Sequence, residues 1–246
     1  MNALIQSVYA HGLHALIYDI FFAAGFVSVF LFVVLYGRKL NVPVWKSIIV
    51  VLIVYPVVVV WMFIMYWIES GFTNFGGNNI VRVFVYVPLV AYPVAKLLRI
   101  PAKDINSMLA FGPIAVHGVS HFGCIFAGCC AGYPSKWGLY NVATRQIHFP
   151  TQPIEALLAW GIILFLLVRG KKRNYVPDGR EYPLMLVLFG GSRFLCEFLR
   201  DNEKIWLGCS SLAFHALFML VVGVVWLIVL KRREQRKALA VSTTEE

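Results

Sequence analysis

Three short segments gather the residue types that could do chemistry. The first runs from Phe189 to Arg200 and sets Arg193, Glu197 and Arg200 in an otherwise apolar stretch. Arg193 and Glu197 are four apart, so on a helix they share a face and can pair. Arg200 is seven beyond Arg193, on the same face two turns along. Two guanidiniums held by one carboxylate leave positive charge over. That arrangement suits a phosphate, which arginine binds in bidentate fashion. Gly190, Gly191 and Ser192 just before it permit close approach of a neighbouring helix.

The second segment runs from His117 to Gly132 and carries glycine at 118, 123, 128 and 132. Glycine at that density makes a poor helix interior. A broken or re-entrant element is expected here. His117 and His121 are four apart and share a face, with Cys124 a turn further on. Proton transfer, donation to a phosphate and packing are all roles open to these histidines. The five cysteines are Cys124, Cys129, Cys130, Cys196 and Cys209, with no Cys-x-x-Cys pair and no zinc spacing. They read as small buried packing residues, with a disulfide on the outer side as the alternative. No metal and no cofactor are expected. The third segment, His148 to Glu155, joins a helix-capping Thr151 to Pro153, Gln152 and Glu155.

The elements that position these segments are membrane helices. The chain of 246 residues is 60% hydrophobic and only 14% charged, against about a quarter charged in a soluble domain. Seven stretches are apolar enough to span, at 15–36, 43–68, 80–98, 105–126, 151–168, 182–199 and 207–230. The predicted fold class is therefore an all-α integral membrane protein of about seven transmembrane helices. It forms one membrane domain over 1–237, with a disordered tail at 238–246. The net charge of +10 does not point to nucleic acid, because the basic residues sit in short clusters between apolar runs. Arg38, Lys39 and Lys46 follow the first span, and Lys96, Arg99 and Lys103 the third. Arg169, Lys171, Lys172, Arg173 and Arg180 follow the fifth, and Lys231, Arg232, Arg233, Arg236 and Lys237 the seventh. That places 16 of the 22 Lys and Arg on one side. The positive-inside rule makes that side cytoplasmic, with the amino terminus outside. Trp67, Trp137 and Trp206 then mark the outer interface. No basic leader precedes the first apolar stretch, so a cleaved signal peptide is not expected.

Asp19, Arg82, Glu155, Arg193, Glu197 and Arg200 fall within or at the outer ends of the spans. An ionisable group at a helix centre costs about 2.5–3.5 kcal/mol on insertion scales, so such groups face the bundle interior, where they pair or mark a site. At the outer leaflet, a phosphate would belong to a phospholipid headgroup.

In their order along the chain the three segments resemble prolipoprotein diacylglyceryl transferases. The family's Gly-Arg-x-Gly-Cys and Phe-x-x-Gly-Cys-Cys-x-Gly pattern is matched by His121 through Gly132. Its His-Pro-Thr-Gln-Leu-Tyr-Glu is matched by Phe149 through Glu155, and its Tyr-x-x-x-Arg-Phe-x-x-Glu-x-x-Arg by Phe189 through Arg200. Tyr18 is similar to the family's first-helix tyrosine. The resemblance implies seven helices in a bacterial plasma membrane and transfer of the diacylglyceryl group of phosphatidylglycerol to a lipobox cysteine, releasing glycerol phosphate. Arg193 and Arg200 would hold the phosphate and Glu197 would orient them. His121 would be a second phosphate donor or the proton acceptor. Tyr18, His117, Gly123, Gln152 and Glu155 would shape the substrate pocket. The implied partners are a phosphatidylglycerol-like lipid and prolipoprotein signal peptides.

The departures are specific. His121 stands at the signature arginine, Phe149 at the motif histidine, and Ile154 and Phe189 at motif tyrosines. The family's His-Gly-Gly has no counterpart around Gly76, Gly77, Asn78 and Asn79. The lipid-holding half of the site reads as retained, and the thiol-activating half as rebuilt or lost. A non-catalytic relative that binds lipid or a lipoprotein precursor is the rival reading. A small transporter fits less well, because the charges cluster at one face and form no midplane pathway.

Overall fold

A computed structural model describes residues 1–73, 83–203 and 208–242 of the chain. Arg82, Trp206, the Gly76–Asn79 stretch and the first residues of two expected spans lie outside the described residues. Nine helices and one hairpin are seen among the described residues. In chain order they are α1 (Asn2–Ala10), α2 (His14–Lys39), α3 (Val44–Glu69), α4 (Val87–Leu97), α5 (Ala102–Leu109), α6 (Phe111–Ala127), β1 (Pro134–Asn141), β2 (Gln146–His148), α7 (Thr151–Lys172), α8 (Glu181–Glu197) and α9 (Ser211–Ser242).

Five helical stretches are long and apolar enough to cross a membrane: α2, α3, α5 with α6 taken together, α7 and α9. Two of the seven expected spans are shorter as helices. α4 has 11 residues, opening at Tyr86 with Pro88 in its first turn. α8 has 17 and carries Arg193 and Glu197. The tail expected at 238–246 begins inside α9, which stays helical to Ser242; residues 243–246 lie outside the described residues.

The α5–α6 run forms the centre. Ala110 between the two helices keeps helical dihedrals, so the direction of the chain is preserved. Within this run 78% of the most apolar window is buried, against 22% in α9. A helix covered on all sides belongs in a bundle core, and one that is apolar all round but half bare faces lipid. α2 and α7 flank α6, α3 pairs with α4, and α8 lies along α9. Small residues set these approaches. A Cβ on Gly190 would come within 2.8 Å of the Leu220 backbone nitrogen, and one on Gly123 within 2.9 Å of Phe21 Cβ.

Gly118 and Gly123 therefore sit inside a regular helix, at close helix contacts, where a broken element was expected. Irregular backbone starts only at Gly128, whose φ of +72° ends α6. Beyond it, β1 and β2 pair antiparallel through Leu139–His148, Tyr140–Ile147 and Asn141–Gln146. α1 rests on this hairpin, with Asn2 Oδ1 accepting from the Tyr140 N–H at 3.0 Å and buried Ile5 packing with Ile125 and Val142.

Candidate functional site

Four elements converge at one end of the bundle: the turn of α6 between His117 and His121, the first two turns of α7, the end of α8 and the strand-like chain after it. Their meeting point is Glu155, in the second turn of α7 and 2% exposed. Its Oε1 accepts from Arg193 Nη1 at 3.1 Å and from Arg200 Nε at 2.8 Å. Its Oε2 faces His121 Nε2 at 3.1 Å and His117 Nε2 at 3.3 Å. These two are close approaches only, since neither Glu155 Oε2 nor His117 Nε2 completes a directed hydrogen bond.

Each partner is positioned by a local rule. His117 and His121 share a face of α6, their ring centroids 3.9 Å apart. Arg193 and Glu197 meet across one turn of α8 at 2.6 Å. Glu197 is held in turn by Ser210 Oγ at 2.9 Å and by the Asn202 side-chain amide. Arg200 is not on the helix, contrary to the two-turn expectation: α8 ends at Glu197, with Phe198 as its cap. The following chain instead pairs with the segment after α6. Gly132 and Arg200 form an isolated antiparallel bridge, and the Tyr133 N–H donates to Leu199 O at 3.1 Å. That bridge turns Arg200 toward Glu155.

The carboxylate that gathers the two guanidiniums is thus Glu155, and Glu197 contacts Arg193 alone among the described pairs. The charge balance changes accordingly. Two arginines face two carboxylates, so with neutral imidazoles the cluster carries no excess positive charge. His121 Nδ1 lies 3.2 Å from the His117 carbonyl, which only accepts. The neutral ring therefore carries its hydrogen on Nδ1 and presents the Nε2 lone pair to Arg200 Nη2, at 3.2 Å. His117, His121 and Glu155 could together offer three metal-ligand atoms. Two arginines on the same carboxylate disfavour a cation there.

The other expected site residues gather toward the end of α6 and the turn that follows it. Gln152 donates from Nε2 to Cys129 O at 2.9 Å, which leaves its buried Oε1 without a hydrogen-bond partner. Tyr18 and Gly123 lie against each other where α2 meets α6, and Tyr18 is half-buried beside Cys124, Cys129 and Cys130. Phe149, at the motif histidine, packs edge-on to Trp137 with centroids 5.2 Å apart. Phe189, at a motif tyrosine, presents its ring to His117 at 4.7 Å. The adjacent His148 is buried, with Nδ1 2.6 Å from Gly132 O and Nε2 2.7 Å from Thr144 Oγ1. It braces the hairpin. Asn202 and Ser210 had no signal in the sequence: the first falls in an aperiodic loop and the second at the start of an apolar run.

A family model described as prolipoprotein diacylglyceryl transferase matches residues 11–229, most of the chain. The chain belongs to the prolipoprotein diacylglyceryl transferase family. Among curated relatives it is similar to a phosphatidylglycerol–prolipoprotein diacylglyceryl transferase of Clostridium tetani, 27% identical over 165 residues, covering 63% of this chain and 62% of the relative. A second relative, from Clostridium perfringens and named phosphatidylglycerol–prolipoprotein diacylglyceryl transferase 2, is 26% identical over 129 residues, with 49% and 50% covered. A third, from Dehalococcoides mccartyi, carries the first relative's name and is 24% identical over 179 residues, with 69% and 65% covered. The chain thus spans about half to two thirds of the length of these relatives.

Proposed function

We propose that this protein moves the diacylglyceryl group of phosphatidylglycerol, or of a similar anionic phospholipid, to an acceptor such as a prolipoprotein lipobox cysteine. The observation that carries the proposal is Glu155 receiving both Arg193 and Arg200 while the His121 lone pair faces the same guanidinium. The relatives' names, which combine phosphatidylglycerol with prolipoprotein, supply the substrate class.

In this reading Arg193 and Arg200 turn from Glu155 to the lipid phosphate, and Glu197 orients Arg193. Of the two roles open to His121, proton acceptor fits better, because its neutral form has no hydrogen on Nε2 to donate. The acceptor thiol loses its proton to His121, and the thiolate is the nucleophile. A sulfur–carbon bond forms at the glycerol carbon that bore the phosphate ester, and the carbon–oxygen bond breaks. Glycerol phosphate departs with its new charge against the guanidiniums. The protonated His121 is stabilised by Glu155 Oε2, 3.1 Å away. Tyr18, His117, Gly123 and Gln152 shape the pocket.

The orientation belongs to the same proposal. Seven membrane crossings, with α4 and α8 completed by their flanking residues, put the amino terminus outside and the carboxyl terminus in the cytoplasm of a bacterial plasma membrane. The site then opens to the outer leaflet. Residues 1–237 form one membrane domain.

One observation favours a second reading, a non-catalytic relative that binds lipid or a lipoprotein precursor. Phe149 and Phe189 put apolar rings where the family has a histidine and a tyrosine. Incubation of the purified protein in nanodiscs with acyl-labelled phosphatidylglycerol and a lipobox peptide separates the two. Label on the peptide, lost in Arg193→Ala, is the expected result. Lipid binding without any transfer would establish the binding protein instead.

A further inference from the structure

The transfer chemistry leaves one cluster unused. Cys124, Cys129 and Cys130 bring their three sulfurs within 4.8 Å of one another, all as free thiols. Sequence spacing hid this, because the ligands do not form a Cys-x-x-Cys pair. The geometry comes from the end of α6. Cys124 lies in the last helical turn, and its carbonyl accepts the Gly128 N–H at 3.0 Å. Gly128 turns the chain left-handed, where a Cβ would come 2.8 Å from Val142 Cγ2. Cys130 then adopts φ +60°, uncommon for a residue other than glycine. The chain reverses and carries Cys129 and Cys130 back over Cys124.

Three side chains outside the turn hold that reversal. Gln152 Nε2 donates to Cys129 O at 2.9 Å, Thr151 Oγ1 to Cys130 O at 2.7 Å, and Asn141 Nδ2 to Gly128 O at 3.0 Å. The backbone is therefore anchored by α7 and the hairpin independently of the thiols. Cys124 is buried, Cys130 half-buried and Cys129 exposed, so the trio has a closed floor and an open mouth. The Arg200 guanidinium lies beside the Cys130 side chain, a positive group next to a centre that would gather negative thiolates.

We propose that Cys124, Cys129 and Cys130 form a binding site for a thiophilic closed-shell cation such as Zn²⁺, Cd²⁺ or Cu⁺. Metal–sulfur bonds of about 2.3 Å around one ion set the sulfurs roughly 4 Å apart. The trio reaches that spacing with movements of less than about an ångström. Thiolate donors select soft ions of this class over magnesium or calcium. Three protein ligands leave a further position facing the exposed mouth, open to water or an added ligand. The site takes no ligand from the histidine–glutamate cluster, where two guanidiniums on one carboxylate disfavour a cation, and it borders that cluster through Arg200.

The probe is Cd²⁺ added to the reduced, full-length protein in detergent, followed by removal of unbound metal. About one cadmium per chain, with an ultraviolet sulfur-to-cadmium charge-transfer band, is expected. Both signals should vanish in Cys129→Ser and in Cys130→Ser, whose backbones remain pinned by Gln152 and Thr151. Both should persist in Cys196→Ser and Cys209→Ser. Unaltered circular dichroism and elution of the serine variants would show that they fold. Absence of stoichiometric cadmium in the reduced protein would overturn the proposal, as would binding that survives both serine changes. So would non-reduced peptide mapping that finds two of the three cysteines joined in a disulfide in protein isolated from cells.

Discussion

Removing the charge of Glu155 isolates what that one residue does. Its Oε1 is the acceptor common to Arg193 and Arg200, and all three side chains are about 2% exposed. A buried ion pair contributes little net stability when compared with apolar replacements, but deleting one partner strands the other. Glu155→Gln removes the carboxylate that Arg193 and Arg200 share and leaves Glu197 on Arg193. We expect a loss of about 3–5 kcal/mol in reversible unfolding from mixed micelles. Glu197→Gln should lose less, about 1.5–3 kcal/mol, because Arg193 keeps Glu155. Equal losses would mean that Glu155 is not the hub. His121 gives a second residue-scale prediction. As the acceptor of the thiol proton it acts after the lipid is bound, so His121→Gln should keep phosphatidylglycerol binding and lose about 100-fold or more in transfer. Unaltered transfer in that variant would remove His121 from the role. Much of this site was legible in the sequence, since every expected polar site residue except Tyr18 lies in or against the cluster. What could not be read was which carboxylate holds the arginines. The i,i+4 rule reports only partners on one helix, and Glu155 arrives from another.

At the scale of elements, α8 and α9 test the small-residue packing directly. A Cβ on Gly190 would meet backbone atoms of Ala216 and Leu220 at 2.9 and 2.8 Å, whereas one on Gly191 would find only Leu220 Cδ1, at 4.0 Å. Backbone cannot rotate away. Gly190→Ala should destabilise by about 1–3 kcal/mol. Gly191→Ala should be neutral or slightly stabilising, since alanine is the better helix former. Equal melting temperatures for the two variants would contradict the close α8–α9 contact. At the opposite end, Asp178 in the α7–α8 loop binds Arg169 through both oxygens and also faces Arg173 Nη2 at 3.4 Å. Burial alone would raise its carboxyl, but the Arg169 bonds and the Arg180 N–H outweigh burial and hold it below the usual carboxylate range. A depressed acid stabilises the fold above its unfolded value and loses that contribution as pH falls through its folded value. Asp178→Asn should therefore lower the melting temperature at neutral pH, and the gap should close on acidification. A gap that widened in acid would reverse the sign. Helix existence was readable throughout this region, because long apolar runs admit little else. Helix length was not. Hydropathy places α8 at 182–199, but the helix stops at Glu197 because the chain is drawn into its bridge with Gly132. The regular α6 was also hidden, since glycine penalties say nothing of the neighbours that make glycine fit.

On the scale of the whole molecule, polarity runs from one end to the other. In α7 alone, Glu155 lies in the second turn and Arg169, Lys171 and Lys172 close the helix. Fourteen residues at 1.5 Å each separate Glu155 from Arg169, roughly 21 Å, most of a hydrocarbon core about 30 Å thick. α2 also ends in Arg38 and Lys39, on the side away from its Tyr18 contact with the site end of α6. The basic residues after α9 share that far end: Arg180, in the loop after α7, is ion-paired to Glu234. If the basic end is cytoplasmic, as the positive-inside rule requires, the arginine cluster lies toward the outer leaflet, where a translocated acceptor and a lipid headgroup can meet. The prediction is a labelling pattern in intact cells treated with a membrane-impermeant maleimide. Trp137→Cys, in the hairpin and 64% exposed, should label from outside. Lys172→Cys, at the end of α7, should label only after the membrane is opened. Exposed Cys129 lies at the outer end in this orientation, so labelling is read peptide by peptide and not on the whole protein. Reagent on Lys172→Cys in sealed cells would invert the molecule. It would place the phosphate site on the cytoplasmic side, out of reach of an exported substrate, and remove the proposed transfer with it.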